Sequence, residues 1–171
     1  KQQLVRADFE SDVPIDQQEI IARTENMLAS GNIDMMLLSD YDKGVINSPG
    51  ELIALATRYG VPVAVDPKHK NFEVYRGATL IKPNRFELAH AVGDWQSEEE
   101  MVEKCQGIIR DMDFKFVLVT RGSAGMTLVQ PNQSETHFPA RARDVYDVTG
   151  AGDTVIGVLS AAMACGETLL D

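Results

Sequence analysis

Residues 147–153 read DVTGAGD, and an apolar segment follows them over residues 154–164. The pattern predicts an extended segment, a tight turn of small residues and the start of a helix. Such a turn leaves backbone N–H groups free at a helix N-terminus, where an anion is favoured. Gly150 and Gly152 allow the backbone to approach a phosphate closely. The stretch therefore predicts an anion-binding turn, with Ala151 as its central residue.

Asp153 adds a carboxylate to this anion site. A carboxylate repels a resting anion, so its predicted use is to accept a proton from an attacking hydroxyl. An anion site and a base together indicate phosphoryl transfer to an alcohol. The alternative is an ordinary aspartate in the first turn of a helix, where the helix dipole favours it.

Helical and strand patterns alternate along the chain. The predicted helices cover residues 17–30, 48–60, 84–92 and 97–112, and the predicted strands cover 4–9, 33–39, 61–65, 78–81 and 116–120, followed by a hairpin of 126–130 with 135–138. Uninterrupted apolar strands that alternate with helices indicate an α/β fold with a mainly parallel sheet. A length of 171 residues suits one domain.

Polar clusters follow the predicted strands at the edge of the sheet where α/β proteins bind ligands. Asp40 and Asp66 are placed to hold sugar hydroxyls, and Lys43 and Lys68 to hold a phosphate. These clusters also have the composition of ordinary turns. Arg6 and Asp8 alternate with apolar neighbours on the first predicted strand, so they face either the site or solvent.

Asn84 and Glu87 have the spacing of a capping box, which alone accounts for the pair. Their functional interpretation is a pair of oxygen donors that hold water on Mg²⁺ near the phosphates. Magnesium keeps several of its waters, so few protein ligands suffice.

Residues 120–125 read TRGSAG at the end of a predicted strand. The segment is either an ordinary glycine-rich turn or a nucleotide contact. In the second case Thr120, Gly122 and Gly125 contact the nucleotide, and Arg121 contacts a phosphate.

Composition excludes several classes of function. A net charge of −10 argues against a nucleic-acid or anionic membrane surface. The two cysteines, Cys105 and Cys165, lie in helical patterns and are expected to be buried free thiols, which fits a cytoplasmic protein. The three histidines are scattered, which argues against zinc, and no apolar run approaches the length of a membrane span.

Three motifs resemble, in their order and spacing, the ribokinase-like (PfkB) carbohydrate kinases: N-x-x-E at 84–87, T-x-G-x-x-G at 120–125 and D-x-x-G-A-G-D at 147–153. A narrower resemblance is to the heptose 7-phosphate kinases that form the kinase domain of bifunctional ADP-heptose synthases in Gram-negative bacteria. It rests on residues 2–10, 38–44, 66–68, 75–80 and 145–159.

The resemblance implies a three-layer αβα fold and ATP- and Mg²⁺-dependent phosphorylation of D-glycero-β-D-manno-heptose 7-phosphate at O1, in lipopolysaccharide core synthesis. Asp153 is then the base, Gly150 to Gly152 the anion hole, and Asn84 and Glu87 the outer magnesium residues. Asp147 and Thr149 match the place where relatives hold a monovalent cation such as K⁺. The intact protein is expected to be a homodimer that acts on small molecules, not on nucleic acid or membranes.

The resemblance also implies that the chain is the C-terminal portion of one kinase domain. The family's N-terminal half with its lid, and the segment that completes the adenine pocket, have no counterpart in these residues. The 171-residue chain by itself is therefore expected to be a weak catalyst.

Three other functions remain to be compared. The first is another sugar kinase of the same family, such as a phosphofructokinase or a ribokinase. The second is a non-catalytic sugar- or nucleotide-binding module, against which the carboxylate of Asp153 argues. The third is a dinucleotide-binding domain, which would need G-x-G-x-x-G after the first strand, and this chain has none there.

Overall fold

The structure is a computed structural model that describes residues 15–140, 150–167 and 169. The strand predicted for residues 4–9 lies outside these ranges, as does the extended segment before Gly150.

In the described ranges six strands form one sheet, whose spatial order is the order of the strands in the chain. Strands β1 to β4 are parallel, and β5 and β6 add an antiparallel hairpin at one edge. The strands are β1 (Met36–Ser39), β2 (Val63–Asp66), β3 (Leu80–Ile81), β4 (Phe116–Thr120), β5 (Met126–Val129) and β6 (Thr136–Phe138). The predicted parallel sheet and the predicted hairpin are both confirmed.

Among the described residues, five α-helices cover the two faces of this sheet, which makes a three-layer arrangement. They are α1 (Gln17–Ala29), α2 (Pro49–Arg58), α3 (Arg85–Val92), α4 (Glu98–Met112) and α5 (Ala151–Ala164). Short 3₁₀ turns occur at Phe72–Tyr75 and Gly122–Ala124. Within the described ranges, no helix has both the length and the apolar character needed to cross a bilayer.

Successive side chains along each strand point to opposite faces of the sheet, so the described residues form two separate hydrophobic cores. On β2, Val63 and Val65 belong to the core beneath α1 to α4, whereas Ala64 belongs to the core beneath α5. Strand β4 divides in the same way, with Leu118 and the helical residue Ile156 on the α5 side. Each fully buried aliphatic side chain contributes about 1.5–3 kcal/mol, so both faces of the sheet stabilise the fold.

The helix starts differ in how far they match their predicted caps. Asn84 and Glu87 make a complete capping box. Ser48 stands at the N-cap of α2, but its side chain makes no capping hydrogen bond. The second predicted box is only half formed: Ser97 accepts from the Glu100 amide, whereas the Glu100 carboxylate accepts from Gln96, one residue before the cap.

The cysteines behave differently from each other. Cys105 is buried in the core beneath α4, and this burial raises the pKa of its thiol to about 12. Cys165 is exposed just after α5, so its predicted burial is wrong. Cys165 is the C-cap residue of α5 and so lies just beyond the helix that packs on the sheet.

Candidate active site

The carboxyl ends of the parallel strands lie side by side and bring the predicted polar clusters to one edge. The Asp40 amide donates to the Asp66 carbonyl over 3.1 Å, which joins the ends of β1 and β2. The Lys82 amide donates to the Val65 carbonyl over 2.9 Å, which joins β3 to β2. An isolated parallel bridge between Asn84 and Thr120 continues the row to β4.

The N-terminus of α5 meets this edge and carries Gly150, Ala151, Gly152 and Asp153. Gly150 is the N-cap residue with φ +76°, a left-handed conformation in which a glycine is favoured. No side chain among the described residues caps this helix start. Uncapped first-turn amides of a helix are donors for an anion.

Asp153 is exposed in the first turn of α5, and its Oδ1 accepts a hydrogen bond of 3.0 Å from the Tyr41 hydroxyl. Tyr41 lies in the loop after β1, 112 residues earlier in the chain. Among the described residues Asp153 has no ion pair within 4.0 Å. The carboxylate therefore remains accessible at the mouth of the site.

Asp66, at the end of β2, lies in a cluster of charged groups. Its Oδ1 is 3.0 Å from Nζ of Lys82, whose side chain is 3% exposed. Burial raises the pKa of Asp66, the ammonium of Lys82 opposes that shift, and the negative charges of Glu87 and Asp153 add to it. The predicted base, Asp153, and the predicted magnesium residue, Glu87, thus both act electrostatically on Asp66.

Lys68 and Glu87 form an ion pair, with Nζ 2.8 Å from Oε1. The hydrogen bond from Lys68 to Glu87 raises the pKa of the lysine. The contact joins a residue predicted to bind the substrate phosphate to a residue predicted to serve magnesium.

The Asn84 and Glu87 pair fits an outer-sphere magnesium role. Glu87 Oε2 accepts the Asn84 amide over 2.8 Å, and its Oε1 faces Lys68. A carboxylate oxygen can accept more than one hydrogen bond, so both oxygens of Glu87 can still accept from a metal-bound water. No cluster of three or more His, Cys, Asp or Glu side chains able to hold a metal occurs in the described ranges.

Asp40 is 5% exposed and has internal partners for both of its carboxylate oxygens. Oδ2 accepts from the buried Tyr75 hydroxyl over 2.5 Å, and Oδ1 accepts from the Asp42 amide over 2.8 Å. Burial, and then the hydrogen bond to Asp40, raise the pKa of Tyr75. Asp40 therefore organises the loop after β1, and its predicted contact with sugar stays a prediction.

The predicted nucleotide turn is built around two internal contacts. Arg121 pairs with Glu98 at 2.5 Å and donates to Thr127 at 3.0 Å. Gly125 is buried with φ +85°, and a Cβ there would lie 2.0 Å from the Phe138 carbonyl oxygen. By contrast Gly122 is exposed with φ +60° and open space around it.

The remaining predicted site residues divide into two groups. Lys43 is exposed in the loop after β1. The others, Arg6, Asp8, Asp147 and Thr149, lie outside the described residues, so their predicted roles stay predictions.

Two residues of this edge, Lys82 and Tyr41, were not among those predicted from sequence as site residues. Lys82 directly follows the buried strand β3, and a lysine at a strand end beside Asn84 was the available signal. Tyr41 stands next to Asp40, but nothing in the sequence indicates a partner 112 residues away.

Comparison with known proteins assigns the chain to a family. A model of the pfkB family carbohydrate kinases matches residues 7–171. The chain belongs to the pfkB family of carbohydrate kinases.

Within this pfkB family the chain is similar to named bacterial proteins. It is 50% identical over 169 residues to the bifunctional protein HldE of Salmonella paratyphi B and, equally, to that of Salmonella newport. The match covers 98% of this chain and 35% of each relative. The chain thus spans about a third of the length of the curated relatives, within the part that contains their kinase.

Solved structures confirm the ribokinase-like pfkB fold. Arabidopsis thaliana ribokinase complexed with ribose and ATP superposes with a TM-score of 0.71 at 21% identity, over 91% of this chain and 48% of that one. Escherichia coli phosphofructokinase-2 in complex with potassium gives a TM-score of 0.73 at 19% identity, over 91% and 52%. At these identities the likeness shows the fold alone.

Proposed function

We propose that this chain is part of an ATP-dependent kinase that phosphorylates D-glycero-β-D-manno-heptose 7-phosphate at O1, giving the 1,7-bisphosphate for ADP-heptose and lipopolysaccharide core synthesis. The 50% identity to bifunctional HldE proteins supports the choice of sugar. Membership of the pfkB family supports the reaction class.

One observation carries the proposed chemistry. Among the described residues no side chain caps the N-terminus of α5, and Asp153 is exposed in its first turn beside the strand ends. The free amides of a helix start attract an anion. The carboxylate of Asp153 beside them repels that anion, so it does not contribute to anion binding. A base for an incoming hydroxyl explains both features, whereas a pure binding module explains only the first.

In the proposed mechanism Asp153 accepts the proton of the sugar hydroxyl as the oxygen attacks the γ-phosphorus of ATP, and the bond from that phosphorus to the β–γ bridging oxygen breaks to release ADP. The amides of Ala151 and Gly152 stabilise charge on the transferring phosphoryl group, which is the main source of catalysis in this reaction class. Tyr41 holds Oδ1 of Asp153, so Oδ2 remains to receive the proton. Thr120, Arg121, Gly122 and Gly125 form the proposed nucleotide side of the site.

Asn84 and Glu87 are the proposed outer-sphere residues for Mg²⁺, which would neutralise charge on the ATP phosphates when bound. Lys68 is the proposed partner of the sugar phosphate, because its ammonium is half exposed at the strand edge. Lys43 and Asp66 are also proposed to bind the substrate, Lys43 at a phosphate and Asp66 at sugar hydroxyls.

Other parts of the proposal rest on the resemblance. Asp147 and Thr149 are proposed to hold a monovalent cation, and one structural neighbour, phosphofructokinase-2, is described in complex with potassium. The intact protein is proposed to be a homodimer located in the cytoplasm.

A substrate comparison tests the proposal. The intact protein is given Mg²⁺-ATP with heptose 7-phosphate, fructose 6-phosphate or ribose, and products are followed by phosphorus NMR. We expect kcat/KM for heptose 7-phosphate to exceed the others by at least tenfold. A site built to bind particular hydroxyls rejects analogues that leave its polar groups unpaired, by up to about 10⁵-fold. A preference for fructose 6-phosphate would reassign the chain to a phosphofructokinase, and ATP binding without turnover of any sugar would indicate a non-catalytic module.

A further inference from the structure

We propose that Lys82 is a positioning residue of the phosphoryl-transfer site, which ties Asp66 to the first turn of α5 and thereby fixes the helix start that carries Asp153. The proposal rests on the proposed function for its kinetic consequence, and on geometry alone for the contact itself.

Lys82 fills the space between the end of β2 and the start of α5. Its side chain is 3% exposed, and its Nζ is 3.0 Å from Asp66 Oδ1. A Cβ placed on Gly152 would lie 3.2 Å from the same nitrogen. One buried ammonium therefore lies beside both the end of β2 and the position that a side chain at residue 152 would occupy.

Lys82 also explains why residue 152 is a glycine. Gly150 has φ +76°, which an L side chain rarely adopts, whereas Gly152 lies inside α5 and has no such backbone requirement. An alanine would suit an ordinary helix better. At Gly152 the missing side chain leaves room for the Lys82 ammonium, in addition to the close approach of a phosphate that the sequence predicts there.

Folding stability does not account for this arrangement. Burial of an ammonium is costly, and the positive end of a helix repels it further. A single carboxylate offsets these costs only in part, and an apolar pair of similar volume is often as stable as a buried ion pair. A lysine at this place is therefore better explained by what it does for the site.

Lys82 supplies a positive charge where several carboxylates lie close together. Asp66 lies within the electrostatic influence of both Glu87 and Asp153, and Lys82 is the buried cation beside it. If the ammonium is removed, Asp66 either takes up a proton or repels the neighbouring carboxylates and the incoming phosphates. Either outcome shifts the start of α5 away from the position that transfer requires.

The test uses Lys82→Met, Gly152→Ala and the double variant in the intact protein, with Gly157→Ala as the control. Methionine is one atom shorter than lysine and lacks the ammonium. Gly157 is in the same helix, and a Cβ there meets nothing within 4 Å. Gly152→Ala leaves the lysine in place and only displaces its ammonium, so it remains informative if Lys82→Met does not fold.

We expect Lys82→Met to lower kcat about 10- to 100-fold, with both KM values within about threefold, because small misplacements of reacting groups cost rate more than binding. Gly152→Ala lowers kcat in the same direction, and the double variant is no slower than Lys82→Met. Gly157→Ala leaves kcat unchanged. A kcat of Lys82→Met within about threefold of wild type, or a double variant whose loss is the product of the single losses, overturns the proposal.

Thermal unfolding tests the contact without any turnover. Gly152→Ala is expected to lower Tm when Lys82 is present and to leave Tm unchanged or raised in the Lys82→Met variant, while Gly157→Ala raises Tm in both. An equal effect of Gly152→Ala in both backgrounds contradicts the contact. If the wild-type protein phosphorylates no sugar, the proposed function fails, but this unfolding comparison still decides whether Lys82 and Gly152 meet.

Discussion

The Tyr41 hydroxyl donates a hydrogen bond of 3.0 Å to Oδ1 of Asp153, joining the loop after β1 to the start of α5. Both side chains are exposed, so the contact adds little to folding. Its effect is to select one orientation of the carboxylate, with Oδ2 free for an incoming hydroxyl.

Tyr41→Phe is therefore expected to lower kcat by about 2- to 10-fold, which corresponds to about 0.5–1.5 kcal/mol for the loss of one solvent-exposed hydrogen bond to the carboxylate. The Tm should stay within about 1 °C of wild type. Tyr59→Phe is the matched control, because Tyr59 is also exposed and lies at the far end of α2. Steady-state kinetics that give the two variants equal rates would remove Tyr41 from the site.

Glu87→Gln is expected to raise the Mg²⁺ concentration needed for half-maximal activity by about 10-fold or more, as is usual when an outer-sphere partner of a metal is lost. The substitution also removes the negative charge that faces Lys68. Glu100→Gln is the control, since Glu100 occupies the corresponding place at the start of α4 and accepts from Gln96. A magnesium titration in which both variants follow wild type would exclude the assignment of Glu87.

Alanine substitutions at Gly122 and Gly125 are expected to differ sharply in their effect on stability, although both positions lie in one turn. Gly122→Ala meets open space, so only the left-handed backbone costs free energy, about 1–2 kcal/mol. Gly125→Ala adds a Cβ 2.0 Å from the Phe138 carbonyl oxygen and must push β6 away. In urea unfolding Gly125→Ala should be destabilised well beyond Gly122→Ala, and equal losses would show that the hairpin does not pack against this turn.

Tyr75→Phe is expected to lower the free energy of unfolding by about 1–3 kcal/mol, because it leaves the buried carboxylate of Asp40 without its hydroxyl donor. The pKa of Tyr75 is raised in the folded protein by burial and by Asp40. The unfolded tyrosine loses its proton near pH 10, so the contribution of Tyr75 is complete below that pH and is lost as the pH rises further. Urea unfolding between about pH 8 and pH 11 should therefore show a steeper loss for wild type than for the variant, and parallel curves would contradict the buried contact.

Periodicity and cap chemistry were enough to predict most of the fold. Strand β4 and the capping box of Asn84 and Glu87 follow from local sequence, since each is decided by residues a few positions apart. Strand β1 was predicted from residue 33 but begins at Met36, because Met36 is the residue that pairs with Val63, the first of β2. The partner strand, which local sequence does not reveal, sets that boundary.

The arrangement within the site was less predictable for the same reason. Sequence placed Asp40 and Asp66 after predicted strands, but it did not indicate which groups would pair. The contacts of Arg121 with Glu98 and of Tyr41 with Asp153 join residues 23 and 112 positions apart. Such pairs depend on which helices, strands and loops lie next to each other in space, and only the assembled sheet determines that.

The role of Asp153 is tested most directly by Asp153→Asn in the intact protein, measured as single-turnover transfer from ATP to heptose 7-phosphate. Asparagine keeps the size of the side chain and its hydrogen bond with Tyr41, but it cannot accept the proton. The account predicts a rate about 10²- to 10⁴-fold below wild type with unchanged ATP binding and Tm. A rate close to wild type in a folded Asp153→Asn protein would contradict it.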